Sequence, residues 1–292
     1  MRDFDFCSPE TMDAAVAAMS VGDARALAGG TDLIPQLREG RRHLERIVDL
    51  KRIPELTTIA IRPDGSVSIG AAASLSAISR HPAVVSAYPA VAQSSRLVGS
   101  LQIQNRASLG GNICNAAPSA DAVPALICLD ARAVIVSAQQ RREVAIAECF
   151  LGPGRTVLGP GTLLTEILLP PTPPRSAAAY LRFTPRREMD IAIAGAGALI
   201  CLDAQGAVSA ARIVLAAVGP TPLRAERAEA ILIGERPTRA LLGEAGRLAA
   251  EAARPISDTR ASADYRRTLV SVLTERALAD CGRQLQGEEA MA

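Results

Sequence analysis

The chain has 292 residues, 49% of them apolar, enough for one large domain or two modest ones with cores of their own. Lys and Arg number 32 against 30 Asp and Glu, so there is no basic stripe of the kind nucleic acid requires, and small molecules or proteins are the expected partners. The opening MRDFDFCSPE has no apolar signal core, and no stretch approaches the roughly 18 apolar residues of a membrane span, so a cytoplasmic location is expected.

TMDAAVAAM, residues 11–19, reads as a helix, and ARALA, 24–28, as a short apolar strand. The strand runs into Gly29 and Gly30, and TDLIPQLREG follows as a helical turn closed by Gly40. RIVDL and SVSIGAAA read as strands and LSAISRH as a helix. At 104–126, QNRASLGGNICNAAPSADAVPAL repeats the arrangement of the first glycine pair: Gly110 and Gly111 follow the hydroxyl of Ser108 and precede Asn112, Asn115 and Asp121. So many small residues leave little side chain for a core. The stretch offers backbone instead, because glycine lets a ligand approach the main chain and successive N–H groups make an anion-binding concavity. Either pair alone reads equally well as a tight turn; two, each beside a hydroxyl and an acid, point to a diphosphate.

AVIVSA, 133–138, is the next strand, and GPGRTVLGPG, 152–161, lacks the Lys-Ser/Thr end of a phosphate-binding P-loop, so it reads as a turn-rich loop near a site. PPTPPR, 170–175, is too rich in proline for a helix or central strand and reads as a linker. Beyond it AAAYLRF, DIAIAGAGALICLD and AARIVLAAVG read as consecutive strands, followed by helices near 225–233, 238–253 and 258–281. The G-x-G inside IAIAGAGALICLD has Ile200 where a dinucleotide fingerprint needs its third glycine, so it reads as a buried strand of small residues. The six cysteines are scattered without cluster spacing, and neither His43 nor His81 sits in a catalytic or metal motif, so no catalytic residue and no metal ligand is assigned to this chain.

AGGTDL at 28–33, SLGGNICNAAPSAD at 108–121, GPGRTVL at 152–158, LLTEILLP at 163–170 and RFTPRREMDIA at 182–192 follow one another in an order that resembles the FAD-binding medium subunits of molybdenum hydroxylases, of the carbon monoxide, nicotinate and xanthine dehydrogenase type. The resemblance covers nearly the whole chain. It implies a mixed α/β and α+β fold: an FAD-binding domain of the vanillyl-alcohol-oxidase-like type at 1–172, with subdomains of about 1–55 and 56–172, then a C-terminal sheet-plus-helices domain at 175–285. It implies an oxidoreductase subunit whose FAD takes electrons from two [2Fe-2S] clusters of a small partner subunit, a large partner subunit carrying the molybdenum cofactor, in a dimer of heterotrimers.

The cofactor-binding residues that the resemblance implies are Leu27, Ala28, Gly29, Gly30, Thr31, Asp32 and Leu33 around the diphosphate, with Ser108, Gly110, Gly111 and Asn112 completing the cradle. Asp121 would bind ribityl or ribose hydroxyls, Leu164 would pack on the cofactor and Arg182 would lie near the isoalloxazine. The family usually has lysine at the last position; arginine keeps the cation in a bulkier, planar form. Ser108 stands for a common threonine and Gln104 for a common arginine. Each acid also has a plainer reading, Asp32 as a first-turn helix acid and Asp121 as a helix cap. A self-contained FAD-dependent oxidase or reductase is the alternative; it would need its own acid or base in a substrate pocket.

Overall fold

The computed structural model describes residues 3–291. Its first unit is a three-stranded parallel sheet of order β1-β3-β2, formed by β1 (Asp5–Cys7), β2 (Ala24–Leu27) and β3 (Arg46–Asp49). The helices α1 (Met12–Met19) and α2 (Leu33–Arg38) make the crossovers that parallel pairing demands. The side chain of Thr11 caps α1 by accepting the Ala14 N–H. With β3 in the middle, β2 is an edge strand, so the chain leaves an open sheet edge as it enters the first glycine pair.

The second unit is a five-stranded antiparallel sheet of order β4-β5-β10-β6-β7, with β4 (Ile59–Ile61), β5 (Val67–Gly70), β6 (Arg132–Val136), β7 (Arg141–Ala145) and β10 (Leu163–Leu169). Between β5 and β6 run six short helices: α3 (Leu75–Ile78), α4 (Pro82–Ala87), α5 (Pro89–Leu97), α6 (Leu101–Gln104), α7 (Leu109–Asn115) and α8 (Ala122–Cys128). The small hairpin β8 (Phe150–Gly152) and β9 (Arg155–Thr156) precedes β10. The second glycine pair therefore lies within helix α7, whose Leu109 and Ile113 are fully buried. The stretch does build core, through two large side chains spaced one helical turn apart.

After the 170–175 linker comes a four-stranded antiparallel sheet of β11 (Ser176–Phe183), β12 (Ala194–Leu202), β13 (Val208–Ala216) and β14 (Leu223–Arg224), in sequence order. The helices α9 (Glu226–Ala230), α10 (Arg239–Ala252) and α11 (Ala263–Met291) follow. Alternation along β11 sorts its residues to two cores: Ala177 and Ala179 join the core shared with α10 and α11, while Ala178 and Tyr180 join the core under the five-stranded sheet and α8. Coverage of both faces explains why β12 reads as an unbroken small apolar run.

Candidate functional site

The two glycine pairs, 81 positions apart in sequence, meet. A Cβ at Gly29 would lie 2.2 Å from the Arg106 carbonyl oxygen and 2.8 Å from the Ala107 nitrogen, so this glycine is required by one main chain lying against the other. Gln36 of α2 donates from Nε2 to Asn115 Oδ1 of α7 at 3.2 Å, tying the two helices that leave the loops. The second loop is fastened to the five-stranded unit by the Leu75 N–H to the Ala107 carbonyl (2.8 Å) and the Gly110 N–H to the Ala71 carbonyl (3.1 Å). The Gly154 N–H donates to the Ala116 carbonyl at 3.0 Å and brings the 152–161 segment alongside.

Between these walls lies a cleft of about 460 Å³. Of the residues expected to bind cofactor, Leu27, Ala28, Gly29, Gly30, Thr31, Asp32, Leu33, Ser108, Gly111 and Asn112 line it. The turn-rich segment at Leu158–Thr162 lines it as well, as its sequence suggests.

The walls differ chemically. In the first, Gly30 has φ +75°, which turns the chain into α2, and the backbone N–H groups of Gly29, Gly30, Thr31 and Asp32 have no acceptor among the described residues. Four such donors beside an open cleft make a nest for an anion. In the second wall the donors are already used: Gly110 N–H goes to Ala71, Gly111 N–H to Ser108 Oγ at 3.0 Å and Asn112 N–H to the Ser108 carbonyl at 3.0 Å. Ser108 is thus the cap of α7. What this wall presents is the Asn112 side chain, whose Oδ1 is buried without a hydrogen-bond partner, and the bare Gly111, where a Cβ would meet only Ser108 Oγ at 3.2 Å. A diphosphate-bearing ligand fits the first wall by its anion and the second by a close-lying hydroxyl or amide donor.

Four expected residues do not line the cleft. Gly110 faces away, and a Cβ there would lie 2.4 Å from the Ala71 carbonyl oxygen; it serves packing of α7. Leu164 is buried in β10, paired opposite Ile135. Asp121 and Arg182 find one another: an Arg182 guanidinium NH donates to Asp121 Oδ2, and the Tyr180 hydroxyl donates to Oδ1 at 2.8 Å. Asp121 precedes α8 but its carboxylate caps nothing, because it is committed to this pair. Burial raises its pKa against the opposing pull of Arg182 and Tyr180. Asp32 likewise makes no capping bond to α2, and partial burial raises its carboxyl above the usual range.

Arg25, Arg42, Arg155 and Gln36 also line the cleft and were not singled out in the sequence. Cys114 is exposed and opens onto it. Among the described residues the lining contains no histidine, and Asp32 is its one carboxylate.

Comparison with known proteins gives the same picture from another direction. Residues 2–172 match the family model described as the FAD binding domain in molybdopterin dehydrogenase, and 178–281 the CO dehydrogenase flavoprotein C-terminal domain. The chain is 34% identical to the carbon monoxide dehydrogenase medium chain of Afipia carboxidovorans, over 94% of this chain and 95% of that one. It is 30% identical to the 6-hydroxypseudooxynicotine dehydrogenase complex subunit alpha of Paenarthrobacter nicotinovorans, over 94% of this chain and 93% of that one. In structure it resembles a chain of carbon monoxide dehydrogenase from Hydrogenophaga pseudoflava with a TM-score of 0.92 at 31% identity, covering 97% of this chain and 98% of the other.

Proposed function

The chain belongs to the family of FAD-binding subunits of molybdenum hydroxylases, and from that premise we propose that it relays electrons within a larger complex. A large partner subunit with the molybdenum cofactor oxidises the substrate, a small partner subunit with two [2Fe-2S] clusters carries single electrons, and the FAD of this chain passes them to an external acceptor. The assembly is a dimer of such heterotrimers. The names of relatives support this reading, since they describe medium chains, FAD-binding subunits and a complex subunit alpha. None of the six cysteines is paired in a disulfide, which agrees with a reducing, cytoplasmic setting.

The observation that carries the reading is the meeting of the two glycine loops at Gly29 to enclose one cleft with four unused backbone donors. Those donors, from Gly29 to Asp32, hold the diphosphate, Thr31 adds its hydroxyl, and Leu27, Ala28 and Leu33 shape the same wall. Ser108, Gly111 and Asn112 form the opposite wall, with Asn112 Oδ1 accepting from the ligand. Gly110, Leu164, Asp121 and Arg182 support the site from behind. When bound, FAD supplies the exchange between one-electron and two-electron transfer. The chain's own residues position it, and a self-contained oxidase would have to use Asp32, the carboxylate of the lining, as its substrate acid or base. The domain division follows the same lines: an FAD domain at 1–172 with subdomains near 1–55 and 56–172, and a C-terminal domain at 175–285. Residues 1 and 2 of that span lie outside the described residues.

The test is purification of the chain alone and with its partners. The isolated chain should carry stoichiometric FAD that acid precipitation releases completely. The flavin of the isolated chain should keep its colour when the complex's substrate is added without oxygen, whereas the assembled complex should bleach. Bleaching of the isolated chain would establish an autonomous flavoenzyme instead.

A further inference from the structure

We propose that Arg25 and Arg42 form a guanidinium pair that neutralises the diphosphate of the bound dinucleotide and makes this chain prefer FAD to uncharged riboflavin. The inference rests on the FAD reading above and adds two residues to it. Arg25 lies in edge strand β2, two residues before the first glycine loop, and Arg42 lies in the connection from α2 to β3; both line the cleft.

Two guanidiniums in one cleft repel, and the surroundings do little to offset it. The Arg42 guanidinium is held below its ordinary value, first by burial and then by the charge of Arg25, with Asp23 opposing. Arg25 Nε is 3.8 Å from Asp23 Oδ1, and both side chains are about half exposed, so the pair is a weak one. Arg42 makes no ion pair and no side-chain hydrogen bond among the described residues. With Arg155, three arginines line the cleft against the single carboxylate of Asp32, whose ionisation is itself disfavoured by burial. The excess of positive charge matches the roughly two negative charges of a diphosphate, and guanidinium forks suit phosphate oxygens. The unused N–H groups of Gly29 to Asp32 mark where that diphosphate lies, on the wall that β2 leads into.

The test is titration of the flavin-free chain with FAD and with riboflavin at about 50 mM and about 300 mM KCl, a range over which salt weakens exposed ionic contacts. The proteins are the wild type, Arg25→Gln, Arg42→Gln, the double variant, and Arg267→Gln on the surface of α11 as a control. Each single substitution should weaken FAD binding about tenfold at low salt, and the double variant about a hundredfold. Riboflavin binding should be unaffected, and the salt dependence of FAD binding should flatten in the double variant alone. A double variant that is folded by circular dichroism and binds FAD within about threefold of the wild type overturns the proposal, as does an equal loss for riboflavin. In both cases the FAD reading stands on the wild-type titration. A wild type that binds no FAD removes the FAD reading and this proposal with it.

Discussion

Within each glycine pair the two residues answer to different constraints. At Gly29 and Gly110 an added Cβ would meet backbone, the Arg106 carbonyl oxygen at 2.2 Å and the Ala71 carbonyl oxygen at 2.4 Å, and backbone cannot rotate away as a side chain can. Gly111 sits in helix α7 with only Ser108 Oγ near, at 3.2 Å, and it faces the cleft. Gly29→Ala and Gly110→Ala should therefore destabilise the chain, by about 1–3 kcal/mol as overpacked sites do. Gly111→Val should leave stability within about 1 kcal/mol, because valine costs a helix no more than glycine does, yet should abolish FAD binding. Urea midpoints with bound-flavin absorbance separate the two effects. A Gly111→Val chain that keeps stoichiometric FAD would show that the second wall does not touch the cofactor. Gly30 combines both constraints, since its φ of +75° is strained for any side chain.

Among the elements, those with a clear period or composition were legible before the fold was seen. The helices over 225–233, 238–253 and 258–281 correspond to α9, α10 and α11, and the run IAIAGAGALICLD is the buried strand β12. The short helices α4 to α8 were not legible. They are four to nine residues long, four of them contain proline or paired glycine, and long-range packing rather than propensity holds them. The G-x-G of β12 owes its glycines to neighbours that only the fold brings near. A Cβ at Gly195 would meet the Tyr180 ring, and one at Gly197 would lie 3.1 Å from Pro124 Cβ and 3.2 Å from Cys128 Sγ of α8. Likewise the glycine loops could be read from their composition, whereas Arg25 and Arg42 could not be told from the other arginines until the loop closed around them. Gly197→Val should force α8 off the sheet and lower stability by about 1–3 kcal/mol, with FAD affinity falling as α7 and the second wall shift with it. Unchanged urea midpoint and unchanged flavin content would show that α8 has room to spare.

At the scale of the whole molecule, the four-stranded sheet is held to the cofactor-binding part by α8 and by a set of polar contacts at its ends. The Ala217 N–H donates to the Pro118 carbonyl at 2.8 Å, and Arg212 donates to the Cys128 carbonyl at 2.9 Å and pairs with Asp130. The most buried of these contacts is Asp121 with Tyr180 and Arg182, in which the carboxylate and guanidinium side chains are 9% and 5% exposed. Removing one partner of a buried pair leaves the other charge without compensation and costs about 3–5 kcal/mol. Arg182→Met should accordingly be destabilised by that order at neutral pH. The pH dependence follows from the direction of the Asp121 shift. Its folded pKa is raised by burial, and loss of Arg182 takes away the charge that lowers it, so it rises further. Between the unfolded and folded values the native state binds more protons than the unfolded state, and stability falls as pH rises through that window. The variant has the wider window, so its deficit against the wild type should grow with pH and shrink on acidification, where a neutral Asp121 no longer needs a cation. Adding Asp121→Asn to Arg182→Met should remove this pH-dependent part of the deficit. Urea midpoints at about pH 5 and about pH 8 read the effect directly. A deficit of Arg182→Met that is the same at both pH values would mean that the arginine acts by packing alone, and that the carboxylate of Asp121 is not what it holds in place.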